Sequence, residues 1–341
     1  MRKLSLGQAI DCAIEDAMAR DDSIVLMGED VPMLRAPLFA RFGAERVLAT
    51  PISESAFFGA AAGAAMAGLR PVVELYMVDF IAVALDSVLN HMAKLETFSG
   101  GSWKAPLVIR APSGAGYGDG GQHGQALWGS LASIPGLTVV VASTPADAYG
   151  LMTSALAHDG PVIFMEPKLL SEEWLEFLGR GGRDTVSFDI PTDGRFGEVP
   201  GPPHVTPFGT AAVRREGADL TLASLAVGVH RALEAAARLH DQGIDCEVID
   251  LRSLRPLDVM TVVGSVEKTG RLLVVDEDYR EFGLSGELAA VTLEAGLGPR
   301  FGRVCVEDTL PFARYLENEA LPNVDRIVAA ATELVGDRSS S

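Results

Sequence analysis

The sequence predicts an α/β protein of two successive three-layer units, each built on a mostly parallel sheet. Three observations lead there. At 341 residues and 48% apolar content the chain can fill two cores, whereas one core of that size would be unusually large. From Ser23 onward, short β-branched runs alternate with longer helical patterns, as a sheet covered by helices requires. Residues 179–207, GRGGRDTVSFDIPTDGRFGEVPGPPHVTP, then break the alternation with glycine, proline and charge. The expected division is therefore a first unit over 1–178, a linker over 179–207, a second unit over 208–336 and a disordered tail over 337–341.

In the first unit the strand candidates are SIVLM (23–27), RPVVELY (70–76), PLVIRAP (106–112), LTVVVAS (137–143) and PVIFMEP (161–167). Most are too continuously apolar for a sheet that faces water, so both faces must be covered. Between the last two lies a helix: Thr144 can cap it, Pro145 suits its first position and Gly160 follows its end. After the linker the alternation resumes with DLTLASLA as strand, VGVHRALEAAARLHDQG as helix, IDCEVIDLR as strand and a helix after Pro256. RLLVVDED, a helix from Gly283, RVCVED and the amphipathic VDRIVAAATELVG complete it.

Composition narrows the function. A formal charge of -18 argues against nucleic acid, which is bound by basic faces that displace counterions, and suits a basic protein partner better. Cys12, Cys246 and Cys305 are far apart, with neither a disulfide framework nor a zinc knuckle suggested, and their thiols fit a reducing, cytoplasmic setting. The opening MRKLSLGQAIDCAIEDAM mixes bases with Asp11, Glu15 and Asp16, unlike a signal or transit peptide. The longest nearly apolar run, Ala56 to Leu69, falls short of the ~20 residues that cross a bilayer, so no membrane is expected.

Several motifs fail on inspection. Gly118, Asp119 and Gly120 form a Gly-Asp-Gly triplet, which opens the magnesium and diphosphate site of many thiamine-dependent enzymes. That site also needs an Asn about 25 to 30 residues later as a second hard ligand. Asn90, Asn318 and Asn323 all lie outside the window, so the stretch reads as a flexible glycine loop. GAGYG misses the dinucleotide spacing, and no H-E-x-x-H or G-x-S-x-G is present. No metal constellation emerges among the histidines. Gly59, Gly63 and Ala67 line one helix face with almost no side chain, for tight packing inside the unit or for a crossing at a subunit interface.

Glu54, in TPISESAFF, sits where a strand gives way to an almost uncharged helix. Poorly hydrated surroundings would raise its pKa and let it share a proton with a ring nitrogen. The sequence equally permits a first-turn acid favoured by the helix dipole.

Taken together, GED (28–30), TPISE (50–54), G-x-x-x-G-x-A-x-x-GLRPVVE (59–74), SGG (99–101), QH-x-Q (122–125), PGL-x-VV (135–140), EPK (166–168), EVIDLRSLRPLD (247–258), SVEKTGRLLVVDE (265–277) and LE (316–317) carry a resemblance in their order and spacing. The chain resembles the β subunit of the thiamine diphosphate-dependent decarboxylase component of 2-oxo acid dehydrogenase complexes. The resemblance implies a pyrimidine-binding fold followed by a transketolase C-terminal-like domain. It also implies assembly of two α and two β chains, in which the α subunit holds Mg2+ and the diphosphate. By position, Glu54 matches the carboxyl that bonds the pyrimidine nitrogen, and Phe80 the ring that stacks on the pyrimidine. His123 matches the histidine that orients the 2-oxo acid and handles protons during acyl transfer, and Glu29 is a secondary acid near the pyrimidine.

The implied reaction is decarboxylation of a 2-oxo acid, or cleavage of acetoin, with transfer of the acyl group to a lipoyl carrier. The second unit is expected to pair subunits and to dock on the dihydrolipoyl acyltransferase core. Two departures stand out. Gly124 replaces the usual serine after the histidine, removing a hydroxyl that helps fix the loop. His158 stands where relatives place a carboxylate for a structural potassium ion, so that ion is not expected. Two other readings compete: a split transketolase-like enzyme, and a non-catalytic homodimeric scaffold.

Overall fold

A computed structural model of the chain describes residues 1–116, 118, 120–172, 174 and 196–336. In chain order the strands are β1 (Arg2–Ser5), β2 (Ile24–Gly28), β3 (Val47–Ala49), β4 (Arg70–Glu74), β5 (Val108–Ser113), β6 (Thr138–Val141), β7 (Val162–Pro167), β8 (Phe196–Val199), β9 (Ala212–Arg215), β10 (Leu220–Ser224), β11 (Cys246–Asp250), β12 (Ser253–Arg255), β13 (Arg271–Tyr279) and β14 (Arg300–Val306). A seven-stranded sheet runs β12-β6-β7-β5-β4-β2-β3 and a five-stranded sheet runs β14-β13-β10-β11-β9. Within each, every pairing is parallel except that of one edge strand, β12 on β6 and β9 on β11.

The apolar strands bury both faces, as their composition demands. Val73, Ile109 and Ile163 point into one core, while their neighbours Val72, Val108 and Phe164 point into the other. The first of these cores is shared between the units, since Ala223, Ile249, Leu272 and Leu288 join it. A third core, around Leu222, Leu239, Val248 and Ile327, fills the outer face of the second sheet. The helix Pro145–Ala157 forms as its local signals predict, with the Thr144 hydroxyl accepting from Asp147 N–H. Among the described residues no helix is long and apolar enough to cross a membrane.

Four strands differ from the sequence reading, β1 among them. β9 is a short antiparallel edge strand ahead of DLTLASLA. β12 has three residues and leaves the second unit to finish the first sheet. β8 lies within the expected linker and pairs antiparallel with β1. Strands this short carry too little periodicity to announce themselves. Residues 179–195 of the expected linker and the tail 337–341 lie outside the described residues.

Candidate active site

β3, β2, β4 and β5 are consecutive neighbours, and the segments leaving their carboxyl ends carry Glu54, Glu29, Phe80 and His123 in that order. Parallel strands put all four on one rim, the rim where open α/β sheets bind ligands. Its floor is a buried charge network. Arg35 grips Glu74 through two hydrogen bonds of 3.0 Å, and Arg110 donates to Glu74 (3.1 Å) and Glu166 (2.8 Å). Burial alone would push the Glu74 carboxyl up, but Arg110 and Arg35 outweigh it and hold it down to about 2. Removing one member of such a network costs about 3–5 kcal/mol, so the floor is rigid.

Gly28, the last residue of β2, is glycine because a Cβ there would lie 2.5 Å from the Glu74 carbonyl oxygen. The next residue, Glu29, is half-buried; burial raises its carboxyl pKa, with the charges of Asp30 and Glu54 adding to the effect. The two candidate acids are thus neighbours. Glu54 is the first residue of the helix Glu54–Met66, where its charge suits the exposed N–H groups of the first turn. It has no hydrogen-bond or ion-pair partner among the described residues.

The poorly hydrated pocket expected round Glu54 is not built by this chain. Ile52 is 73% exposed, and Ser53, Ser55 and Ala56 are exposed too. The helix buries Phe57, Phe58, Ala61 and Ala65 and turns Gly59, Ala60, Gly63 and Ala67 outward. A Cβ on Gly63 would meet nothing within 4 Å, and one on Gly59 only Ser87 Oγ at 3.9 Å. The small-residue face therefore does not pack inside the unit; it is an open helix face.

Phe80 lies half-buried on the 3-10 helix Val78–Ala82. Ser55 Oγ donates to the carbonyl of Val83 (2.6 Å), which ties that helix to the first turn after Glu54. The Phe80 and His123 rings meet edge to face, with centroids 5.4 Å apart at 78°. The His123 loop closes on itself through Gly114 N–H donating to the Gln125 carbonyl (3.1 Å). Asp79 accepts from the Gln125 backbone (3.3 Å) and side chain (2.9 Å), and Tyr279 O–H donates to Gln125 Oε1 (3.1 Å). From beneath, the buried Lys168 ammonium donates to the His123 carbonyl. The His123 ring nitrogens have no hydrogen-bond partner among the described residues.

Gly124 fits by contact rather than by a hydroxyl. A Cβ there would lie 3.1 Å from the Gly120 carbonyl oxygen and 3.3 Å from Ala115 and Leu310. Asp119, the centre of the Gly-Asp-Gly triplet, lies outside the described residues. His158 packs edge-on against Phe208 (5.6 Å), and burial lowers its pKa. The carbonyls of Leu156 and His158 accept from the Arg70 guanidinium at 3.3 and 2.9 Å, so a side-chain cation already uses them.

Sequence reasoning singled out Glu54, Phe80, His123 and Glu29, which lie on one rim, but did not anticipate the contacts of Lys168, Asp79, Gln125 and Tyr279. Lys168 and Gln125 stand inside EPK and QH-x-Q, so their positions were signalled although their partners were not. An unpartnered carboxyl, an unpartnered imidazole and a half-buried phenyl ring suit a flat ring that carries nitrogen. Among the described residues no three His, Cys, Asp or Glu side chains gather as a metal site.

Two α/β units, with an acid and an aromatic ring on the carboxyl rim of the first, define a transketolase-like protein. Residues 2–172 match the family "Transketolase, pyrimidine binding domain" and residues 209–327 match "Transketolase, C-terminal domain". The chain is 39% identical to the β subunit of the acetoin:2,6-dichlorophenolindophenol oxidoreductase of Cupriavidus necator, over 97% of each chain. It is 36% identical to the 2-oxoisovalerate dehydrogenase β subunit of Bacillus subtilis, over 98% of this chain and 99% of that one. A solved split-gene transketolase, an inactive β4 tetramer, shares the fold with a TM-score of 0.76 at 23% identity, over 98% of both chains. The chain belongs to the transketolase-like family of 2-oxo acid dehydrogenase β subunits.

Proposed function

We propose that this chain is the β half of a decarboxylating component. With an α subunit, thiamine diphosphate and Mg2+, it acts on a 2-oxo acid or on acetoin and passes the acyl group to a lipoyl carrier. The observation that carries the reading is the rim itself: Glu54 with no partner of its own, beside Phe80 and His123 in ring contact.

When bound, thiamine diphosphate supplies a nucleophilic carbon and an electron sink, while the protein binds, orients and tunes. Glu54 holds a proton at the pyrimidine ring nitrogen, and covering it with the α subunit removes the water that now reaches it. Phe80 presents its ring to the pyrimidine. His123 orients the substrate carboxylate and holds or releases a proton as the acyl group leaves. Glu29, whose carboxyl pKa burial pushes above its ordinary value, adds a second acid beside Glu54. The diphosphate and Mg2+ fall to the α subunit. The open face of the Glu54 helix is where that subunit packs, since small residues permit close backbone approach. The second unit pairs β chains and docks the acyltransferase core, in a cytoplasmic assembly of two α and two β chains.

The test is reconstitution with an α-type subunit, thiamine diphosphate and Mg2+, assayed on a panel of 2-oxo acids and acetoin. Turnover is expected from the pair and not from this chain alone. A pair inactive on the whole panel refutes the reading, and tight cofactor binding by the isolated chain refutes the shared pocket.

A further inference from the structure

The second unit supplies a clamp for the His123 loop. Glu317, wholly buried on the short helix Arg314–Ala320, accepts from Gly116 N–H at one carboxylate oxygen (3.0 Å) and from Gly118 N–H at the other (2.8 Å). Contacts along the same segment match. Gly118 and Gly120 have φ of +74° and +70°, the left-handed region that favours glycine. A Cβ on Gly118 would lie 2.7 Å from Arg314 Cγ, one on Gly120 2.9 Å from the Phe312 ring, and one on Gly121 2.7 Å from Thr309 Cγ2. At Gly118, Gly120 and Gly121 the backbone thus lies close against Arg314, Phe312 and Thr309, with no room for a Cβ. His123 N–H donates to the Gly120 carbonyl (3.3 Å), so the turn fixed at Gly116 and Gly118 leads directly into the histidine.

A loop this rich in glycine loses much conformational entropy on ordering, and Lys168 reaches it at its far end, the His123 carbonyl. A carboxylate that takes two backbone N–H groups is a charge-assisted anchor of about twice the ordinary hydrogen-bond strength. We propose that Glu317 is a positioning residue for His123, fixing from the second unit the left-handed turn that aims the imidazole toward Phe80. The proposal rests on the functional reading above, in which His123 handles substrate.

Hydrogen exchange on the full isolated chain and acyl transfer in the reconstituted pair test it together. In Glu317→Gln the side-chain NH2 faces one of the two amides, so one bond is lost and the other is no longer charge-assisted. Amides of 114–122 should then exchange about tenfold faster, with the rest of the chain unchanged. Acyl transfer should slow by about tenfold, with a smaller change in KM, and the limb of its pH profile set by His123 should move. Glu319→Gln, the same charge change on the exposed side of that helix, should do neither. If Glu317→Gln does not fold, Gly118→Ala disrupts the same contact from the loop side. Unchanged exchange overturns the clamp. Faster exchange with unchanged transfer and pH limb overturns the positioning role. If the wild-type pair turns over nothing, the functional reading fails and the positioning role with it, while the exchange result still reports on the clamp.

Discussion

Glu54 rides on a 13-residue helix anchored by Phe57, Phe58, Ala61 and Ala65, and no polar contact holds its own side chain. His123 sits in a glycine loop held by Lys168 from below, by Asp79 and Tyr279 through Gln125, and by Glu317 at its amino-terminal flank. A helix inherits its position from a packed face, whereas a loop must be tied down bond by bond. The two sides also differ in completeness. The histidine side is tied down within this chain, while the glutamate side keeps an open face, which on the proposed function a partner surface covers.

The largest effect should come from the uncovered side. Glu54→Gln removes the shared proton without changing shape, so turnover of the reconstituted pair should fall at least ~100-fold with folding and α-subunit association intact. Wild-type turnover in that variant would remove Glu54 from the chemistry. On the histidine side, His123→Ala should slow acyl transfer to the lipoyl carrier by about ten- to a hundredfold, again with α-subunit binding unchanged. Equal transfer rates would count against the histidine.

Smaller effects separate the two kinds of support. Gly63→Leu places a side chain where nothing lies within 4 Å. The isolated chain should melt no lower, since glycine is about 1 kcal/mol worse than alanine inside a helix. Binding to the α subunit should weaken at least about tenfold, the loss of roughly 1.4 kcal/mol. A variant that still associates normally would show that the subunits meet elsewhere.

The smallest effect is a pH dependence on the histidine side. Trp128, just beyond the loop, donates its indole N–H to Asp276 (2.8 Å). Burial, with the charge of Asp278 adding, raises the Asp276 carboxyl from 3.8 to about 7. The folded state holds that proton more tightly than the unfolded one. Its stabilisation is therefore full below the ordinary aspartate range and is lost as pH rises through about 7. Asp276→Asn keeps the acceptor for Trp128 and should flatten this fall in denaturant midpoint. Glu74, held at about 2, runs the other way: its contribution is present above 4.5 and disappears as pH falls toward about 2. If the midpoint of the Asp276→Asn variant still falls between the ordinary aspartate range and about pH 7, the linked proton lies elsewhere.

What could be read in the sequence was local or ordered along the chain. The cap at Thr144, the apolar strands and the closing helix Val324–Gly336 each carry their signal within a few residues. Glu54, Phe80 and His123 were legible because they fall in a recognisable order of short strings. Their supports were not. Tyr279 lies 154 positions from Gln125, and Glu317 lies 201 from Gly116; no periodicity connects residues so far apart. The surroundings of Glu54, itself half-buried among exposed neighbours, were not legible for a related reason, since an uncharged helix face looks the same in sequence whether this chain covers it or leaves it open.

The crossing of β12 into the first sheet has a consequence for how this polypeptide can be divided. Cutting the gene after residue 207 would strip β6 of its edge neighbour β12 and cleave the core that Ile109 and Leu272 share. The amino-terminal fragment would carry a raw hydrogen-bonding margin and a greasy wound, both prone to self-association. The carboxyl part is thus no freely detachable module, since Ser253–Arg255 and the β6 edge it completes belong together.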